Sequence, residues 1–163
     1  MKFNINQNDL QQSLGYCQGV IEKRSTLPIL SNILLDATGS NLKIIATDLD
    51  LIFINEIQNI EIIEEGKTTT VSSTLYDIIR KFNSGKKINF HQTSDNKVQL
   101  ESEKSIFNLN CLSASEFPVT EESFTSKTFV IKSKEFLKLL NKCKFSISND
   151  ETRHYLSGIY IHQ

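Results

Sequence analysis

No stretch of this 163-residue chain stays apolar for the roughly 18 residues that a membrane-crossing helix needs. The opening Met1-Lys2-Phe3 runs into an alternating strand and lacks the charged, apolar and cleavage regions of a signal peptide. A cytoplasmic protein is the expectation. Cysteine is scarce: Cys17, Cys111 and Cys143 are odd in number and far apart, with no C-x-x-C spacing. That argues against a zinc ribbon or a redox pair and predicts buried, reduced thiols. His91, His154 and His162 lie in separate segments with no i, i+4 pair, so neither a metal site nor a cofactor is expected. Neither sign of charge prevails. A formal charge of −1, with 39% hydrophobic and 23% charged residues, is a soluble globular composition, neither disordered nor basic overall.

What is present is repetition. A short strand runs through a polar cap into a helix at Lys2 to Asn6 with Asp9 to Val20, at Lys67 to Val71 with Thr74 to Phe82, and at Thr128 to Lys132 with Lys134 to Cys143. The copies begin roughly 60 to 65 residues apart. Between the helices apolar residues alternate with polar ones: Ile33, Leu35 and Ala37; Leu42, Ile44 and Ala46; and Leu51, Phe53 and Ile57, continuing to about Ile63. Three further strands follow the second helix, at Lys87 to Gln92, Lys97 to Glu101 and Ser105 to Cys111. Turn clusters at 38–41, 83–86 and 94–96 supply the Gly, Asn or Asp that tolerate positive φ. The unit is therefore strand, helix, three strands (βαβββ), and it occurs twice within residues 1–112, giving an α+β fold of antiparallel sheets.

Residues 113–126, with Pro118 and small polar side chains, read as a linker. A second domain is expected to open over 127–163, with a strand at Leu156 to His162 but too little structure to bury a core alone. Charge is unevenly shared. From Asp36 to Gly66 there are seven acids and one Lys, whereas from Lys127 to Lys144 there are six Lys and one Glu. Lys134, Lys138 and Lys142 fall at i+4 spacing opposite an apolar stripe of Phe136, Leu139, Leu140 and Cys143. The second helix carries Arg80, Lys81, Lys86 and Lys87 at its end, with Leu75, Ile78, Ile79 and Phe82 toward the core. A lysine stripe is by default a solvated face, but two basic helices on a slightly acidic chain suit surfaces turned toward a polyanion.

Five segments then carry a resemblance: Met1-Lys2-Phe3, the run from Glu22 to Leu35 with its Thr26-Leu27-Pro28-Ile29-Leu30, the Ala46-Thr47-Asp48-Leu49 stretch, Ser115-Glu116-Phe117-Pro118, and Thr152-Arg153-His154-Tyr155-Leu156-Ser157-Gly158. In order and spacing they resemble the bacterial DNA polymerase III beta subunit, the sliding clamp of replication. The resemblance implies a DNA-clamp fold, with helices inside and antiparallel sheets outside, three domains per subunit, and two subunits closing into a ring. It also implies that this chain is the first domain and the opening of the second. It implies a non-catalytic processivity factor that encircles double-stranded DNA without sequence preference. Its implied partners are the polymerase III catalytic subunit, the clamp loader, and other clamp-binding polymerases and repair proteins. DNA-facing positions carried over by the resemblance are Arg24, Ser73, Arg80, Asn149, Asp150, His154 and Tyr155. Arg153, Tyr155 and Leu156 match a pocket for partner peptides, and Ile78, Phe107 and Leu109 match the homodimer interface. Two positions depart from that pattern: a carboxylate at Asp150 repels phosphate, and Ser73-Thr74 read as N-cap residues where relatives can carry basic ones.

A rival reading starts from Asp48 and Asp50. On a strand, i and i+2 side chains face the same way, and two carboxylates could hold Mg²⁺ for phosphodiester hydrolysis by a nuclease. No general base is recognisable beside them, and Asp48 suits a turn as well.

Overall fold

Phe3 and Ile5 alternate with Lys2 and Asn4, and this makes β1 (Lys2–Asn6) a strand with one buried face. Asn6 then ends the strand in extended geometry, and its side chain accepts from the backbone N–H of Asn8 to start α1 (Gln7–Cys17). The chain continues through a 3₁₀ turn at Pro28–Ser31 into β2 (Asn32–Thr38), β3 (Asn41–Thr47), β4 (Ile52–Ile57) and β5 (Glu61–Glu64). After these come β6 (Gly66–Val71), α2 (Ser72–Ile79), β7 (Lys87–Ser94), β8 (Lys97–Ser102) and β9 (Ser105–Asn110). The last regular helix is α3 (Ser133–Cys143). The computed structural model describes residues 1–21, 27–118 and 130–162. Its chain falls into two units, Met1–Thr120 and Glu121–Gln163.

The first unit holds two antiparallel sheets, one in the order β5-β1-β7-β8-β9 and the other in the order β4-β3-β2-β6. The opening strand of each βαβββ unit is exchanged. β1 pairs with β7 in the register Lys2↔His91 to Asn6↔Lys87, while β6 pairs with β2 from Asn32↔Val71 to Ala37↔Gly66. Each unit therefore completes the other's sheet. The core follows from this closure: Phe3 and Phe90, both fully buried, stack with ring centroids 4.7 Å apart across the β1–β7 pair. Around them lie Leu10 and Leu14 from α1, Ile33, Leu35 and Ile44 from one sheet, Leu75 and Ile79 from α2, and Val98 and Leu100 from the other sheet. Burying one such side chain contributes roughly 1.5–3 kcal/mol. A smaller cluster on the opposite face of β2 and β3 seats Phe117 against Leu34 and Ile45, which pins the segment after β9.

Several expectations need correction. The first two helices begin two residues earlier than the apolar pattern suggests and end three residues earlier, because β1 and β6 lead straight into them. Val71, not Ser73 or Thr74, holds the N-cap position of α2, with no side-chain cap. The alternation from Leu51 to Ile63 is two strands separated by a turn, not one. In the second unit Thr128 and Phe129 lie outside the described residues, and Val130–Lys132 are not a strand. The strand expected at Leu156 to His162 is absent too; a 3₁₀ segment spans Glu151–Leu156. A strand needs a ladder partner for its N–H and C=O groups, and no strand lies between 130 and 162 among the described residues. No residue of 130–150 or 152–162 is buried, and Cys143, expected to be buried, is exposed.

Candidate nucleic-acid and partner surfaces

On α2 the expected basic face is largely neutralised. Arg80 Nε lies 3.1 Å from Asp77, Lys86 Nζ lies 3.0 Å from Glu103, and Lys87 pairs with Glu61. Lys81 alone of the four has no ion pair among the described residues. Ser73 on α2 and Arg80, its C-cap residue, are both exposed. The neighbouring α1 carries no Lys or Arg. Its outward residues are Asn8, Asp9, Gln12 and Tyr16.

In the second unit the charge pattern holds as read. Lys134, Lys138 and Lys142 on α3 are exposed and make no ion pair among the described residues, and Phe136 and Leu140 are the half-buried members of the opposite stripe. Beyond α3 the backbone N–H of Ser148 donates to Leu156 O at 3.0 Å, closing a loop that gathers Asn149, Asp150, Arg153, His154 and Tyr155. Asp150 caps the 3₁₀ segment: its Oδ1 accepts from Thr152 Oγ1 at 2.6 Å and Thr152 N at 3.0 Å. Those hydrogen bonds hold its carboxyl below the usual range, so it stays an anion. Its other oxygen lies 3.4 Å from Arg153 Nε, which offsets part of the charge that would face a phosphate. His154 and Tyr155 meet edge to face with centroids 5.9 Å apart, and Tyr155 is 74% exposed. Arg153 and Leu156 are exposed as well, so the loop offers a surface and not an enclosed recess. Arg24 lies outside the described residues.

The edge of the larger sheet is apolar. β9 is its outer strand, and its register sets Phe107 opposite Leu100 and Leu109 opposite Val98, both buried partners. Phe107 meets Phe82 edge to face at 5.7 Å, and Leu109, Ile78 and Phe82 pack against the main core. An apolar path thus runs from the interior to a strand edge without a partner among the described residues.

The nuclease reading loses its geometry. Asp48 and Asp50 stand in a turn and not on a strand, and Leu49 between them has φ +84°. Asp48 Oδ1 accepts from the backbone N–H groups of Asp50 at 3.1 Å and Leu51 at 2.7 Å, so its carboxylate is occupied in shaping that turn. No cluster of three or more metal-ligating side chains occurs among the described residues. Likewise no helix among them is long and apolar enough to cross a membrane.

The fold has close relatives. The beta sliding clamp of Caulobacter vibrioides is 39% identical over 164 residues, an alignment covering 99% of this chain and 44% of that protein. The beta sliding clamp of Rickettsia felis is 33% identical over 162 residues, covering 99% of this chain and 42% of the relative. Among solved structures, Caulobacter crescentus pol III beta superposes with a TM-score of 0.92 at 39% identity, covering 99% of this chain and 44% of that one. A sliding clamp from Bartonella birtlesii bound to griselimycin superposes at 0.94 with 34% identity, over 99% and 43% respectively. This chain therefore spans less than half the length of the relatives it matches, in the clamp fold that the resemblance implies and with the α+β antiparallel sheets that its strand pattern predicts. Residues 1–121 match the N-terminal domain of the DNA polymerase III beta subunit, and the chain belongs to that family.

Proposed function

We propose that the natural protein carrying this chain is a sliding clamp: a non-catalytic ring that encircles duplex DNA and tethers the replicative polymerase to its template. The observation that carries this reading is the superposition of nearly the whole chain on solved clamps at 34–39% identity. A tether acts by effective concentration, keeping a polymerase near the template it would otherwise leave, with no bond made or broken by the clamp. Its DNA contacts must be weak and blind to sequence, through phosphates and water, or the ring could not slide.

Within that reading, residues 1–112 form the first clamp domain, 113–126 the linker, and 127–163 the start of the second. Arg24, Ser73, Arg80, Asn149, Asp150, His154 and Tyr155 face the duplex. The closed loop gives this assignment local support by gathering four of the seven. Arg153, Tyr155 and Leu156 form one wall of a groove for short peptides from the polymerase III catalytic subunit, the clamp loader, and other polymerases and repair proteins. Ile78, Phe107 and Leu109 form the homodimer contact, supported by the apolar edge at β9.

The decisive test loads the natural gene product onto nicked circular DNA with its clamp loader, then linearises the DNA. Retention on circles and loss from linear ends is the expected result; equal retention on both would overturn the clamp reading.

A further inference from the structure

One residue of the second unit, Asp150, commits all of its polar groups to the loop that carries Arg153, Tyr155 and Leu156. Its N–H donates to Ser148 Oγ at 3.1 Å, and its carbonyl accepts from the Arg153 N–H at 2.9 Å. Its Oδ1 takes both the N–H and the hydroxyl of Thr152, and its Oδ2 lies 3.4 Å from Arg153 Nε. Arg153 in turn departs from helical geometry, with φ −116° and ψ 46° inside the 3₁₀ segment Glu151–Leu156. Its side chain is exposed and makes no hydrogen bond among the described residues, so that one ion pair sets its place.

We infer that Asp150 is a positioning residue for partner binding: its carboxylate holds Arg153 so that the guanidinium fork is set in advance to take oxygens of a peptide bound beside Tyr155 and Leu156. The inference rests on the clamp reading and deepens its peptide groove. An exposed arginine has wide rotamer freedom, and a neighbour that narrows it beforehand lowers the entropy lost when a peptide immobilises the side chain. The pair meets Arg153 at Nε, the base of the fork, and because the guanidinium is planar a restraint there also directs the two terminal nitrogens. Asp150 belongs to the duplex-facing set by position, yet both of its oxygens are engaged within the loop, so facing the duplex and holding Arg153 are compatible. A simple turn cap needs only the acceptor at Oδ1, which asparagine supplies equally well. The charge at Oδ2 is what Arg153 requires.

The test measures binding of a fluorescein-labelled peptide, copied from the clamp-binding segment of the polymerase III catalytic subunit, to the natural gene product by fluorescence anisotropy. Asp150→Asn, which keeps the cap, should weaken binding about 2- to 5-fold, the range that an exposed ion pair covers. In an Arg153→Gln background, titrated to protein concentrations that saturate the weaker variant, the same change should have no further effect, because both substitutions remove one pair. Equal affinity in Asp150→Asn and the parent would overturn the inference, and so would a loss of the same size in the Arg153→Gln background. Failure of the unmodified protein to bind the peptide would overturn the groove and the inference together. Retention of the unmodified protein on circular DNA, measured in parallel, tests the clamp reading on its own: retention with no effect of Asp150→Asn sinks the inference alone.

Discussion

At the scale of single residues, three consecutive threonines of β6 show how the same side chain can be essential or dispensable. Thr69 Oγ1 accepts from Asn32 Nδ2 at 3.0 Å and Leu112 N at 3.1 Å, and donates to Leu112 O at 2.9 Å. One buried hydroxyl thereby ties β2, β6 and the segment after β9. Thr69→Val would leave the buried Asn32 amide without its acceptor, and a loss of roughly 1–3 kcal/mol in urea denaturation is expected. Thr68 and Thr70 point the other way, and their buried hydroxyls have no partner among the described residues. Thr68→Val and Thr70→Val should therefore be neutral or stabilising in the same assay; a cost above about 1 kcal/mol in either would contradict the burial argument. The cysteines divide on similar grounds. Burial pushes the Cys17 thiol up to about 11, against the lowering effect of a backbone hydrogen bond, so it stays protonated and unreactive. Alkylation of the native 163-residue chain followed by mass spectrometry should label the exposed Cys143 first and reach Cys17 only in denaturant.

At the scale of elements, caps and cross-strand pairs decide where structure starts and how it responds to pH. Asn6 is a side-chain cap and Val71 is not, so Asn6→Ala should cost about 1 kcal/mol in thermal or urea unfolding. On the β2–β6 rung, Asp36 sits opposite Lys67, with Nζ and Oδ2 2.9 Å apart. Burial tends to raise the Asp36 pKa, but hydrogen bonds from Lys67 and Thr38 and the Lys67 charge outweigh it, leaving the folded value below the ordinary one. Its contribution is therefore complete above the unfolded carboxyl range near about 4 and disappears as pH falls through the folded value. Because Lys67 is mostly exposed, the effect should stay under about 1 kcal/mol. Asp36→Asn should accordingly be less sensitive than the parent to acidification below about pH 4; identical acid profiles would show the pair to be inert.

At the scale of the whole molecule, the exchanged strands make the first unit indivisible. β1 lies between β5 and β7 in the interior of its sheet and brings Phe3 and Ile5 to the core, so neither βαβββ unit has a complete sheet without the other. The apolar edge at β9 is the corresponding feature for the proposed assembly. In the natural gene product, Phe107→Glu should shift a dimer toward monomer in sedimentation velocity, since it places a charge on the proposed contact without emptying the core: Phe107 is 37% exposed. A dimer of unchanged strength would remove Phe107 from the interface. Far-UV circular dichroism should remain native in that variant.

The sequence by itself determined the local grammar of the first unit: alternating strands, positive-φ turns at Gly39 and Gly85, the apolar stripe of α2 and the run of segments that resembles the clamp family. Those features depend on spacings of two to four residues, where backbone stereochemistry leaves few choices. Only the tertiary structure decided that β1 and β6 trade sheets and that acids from distant segments neutralise Lys86 and Lys87. Each of these joins residues far apart in the chain. A strand's alternation marks which face is buried but not which neighbour completes its ladder; that choice belongs to whichever pairing closes the core.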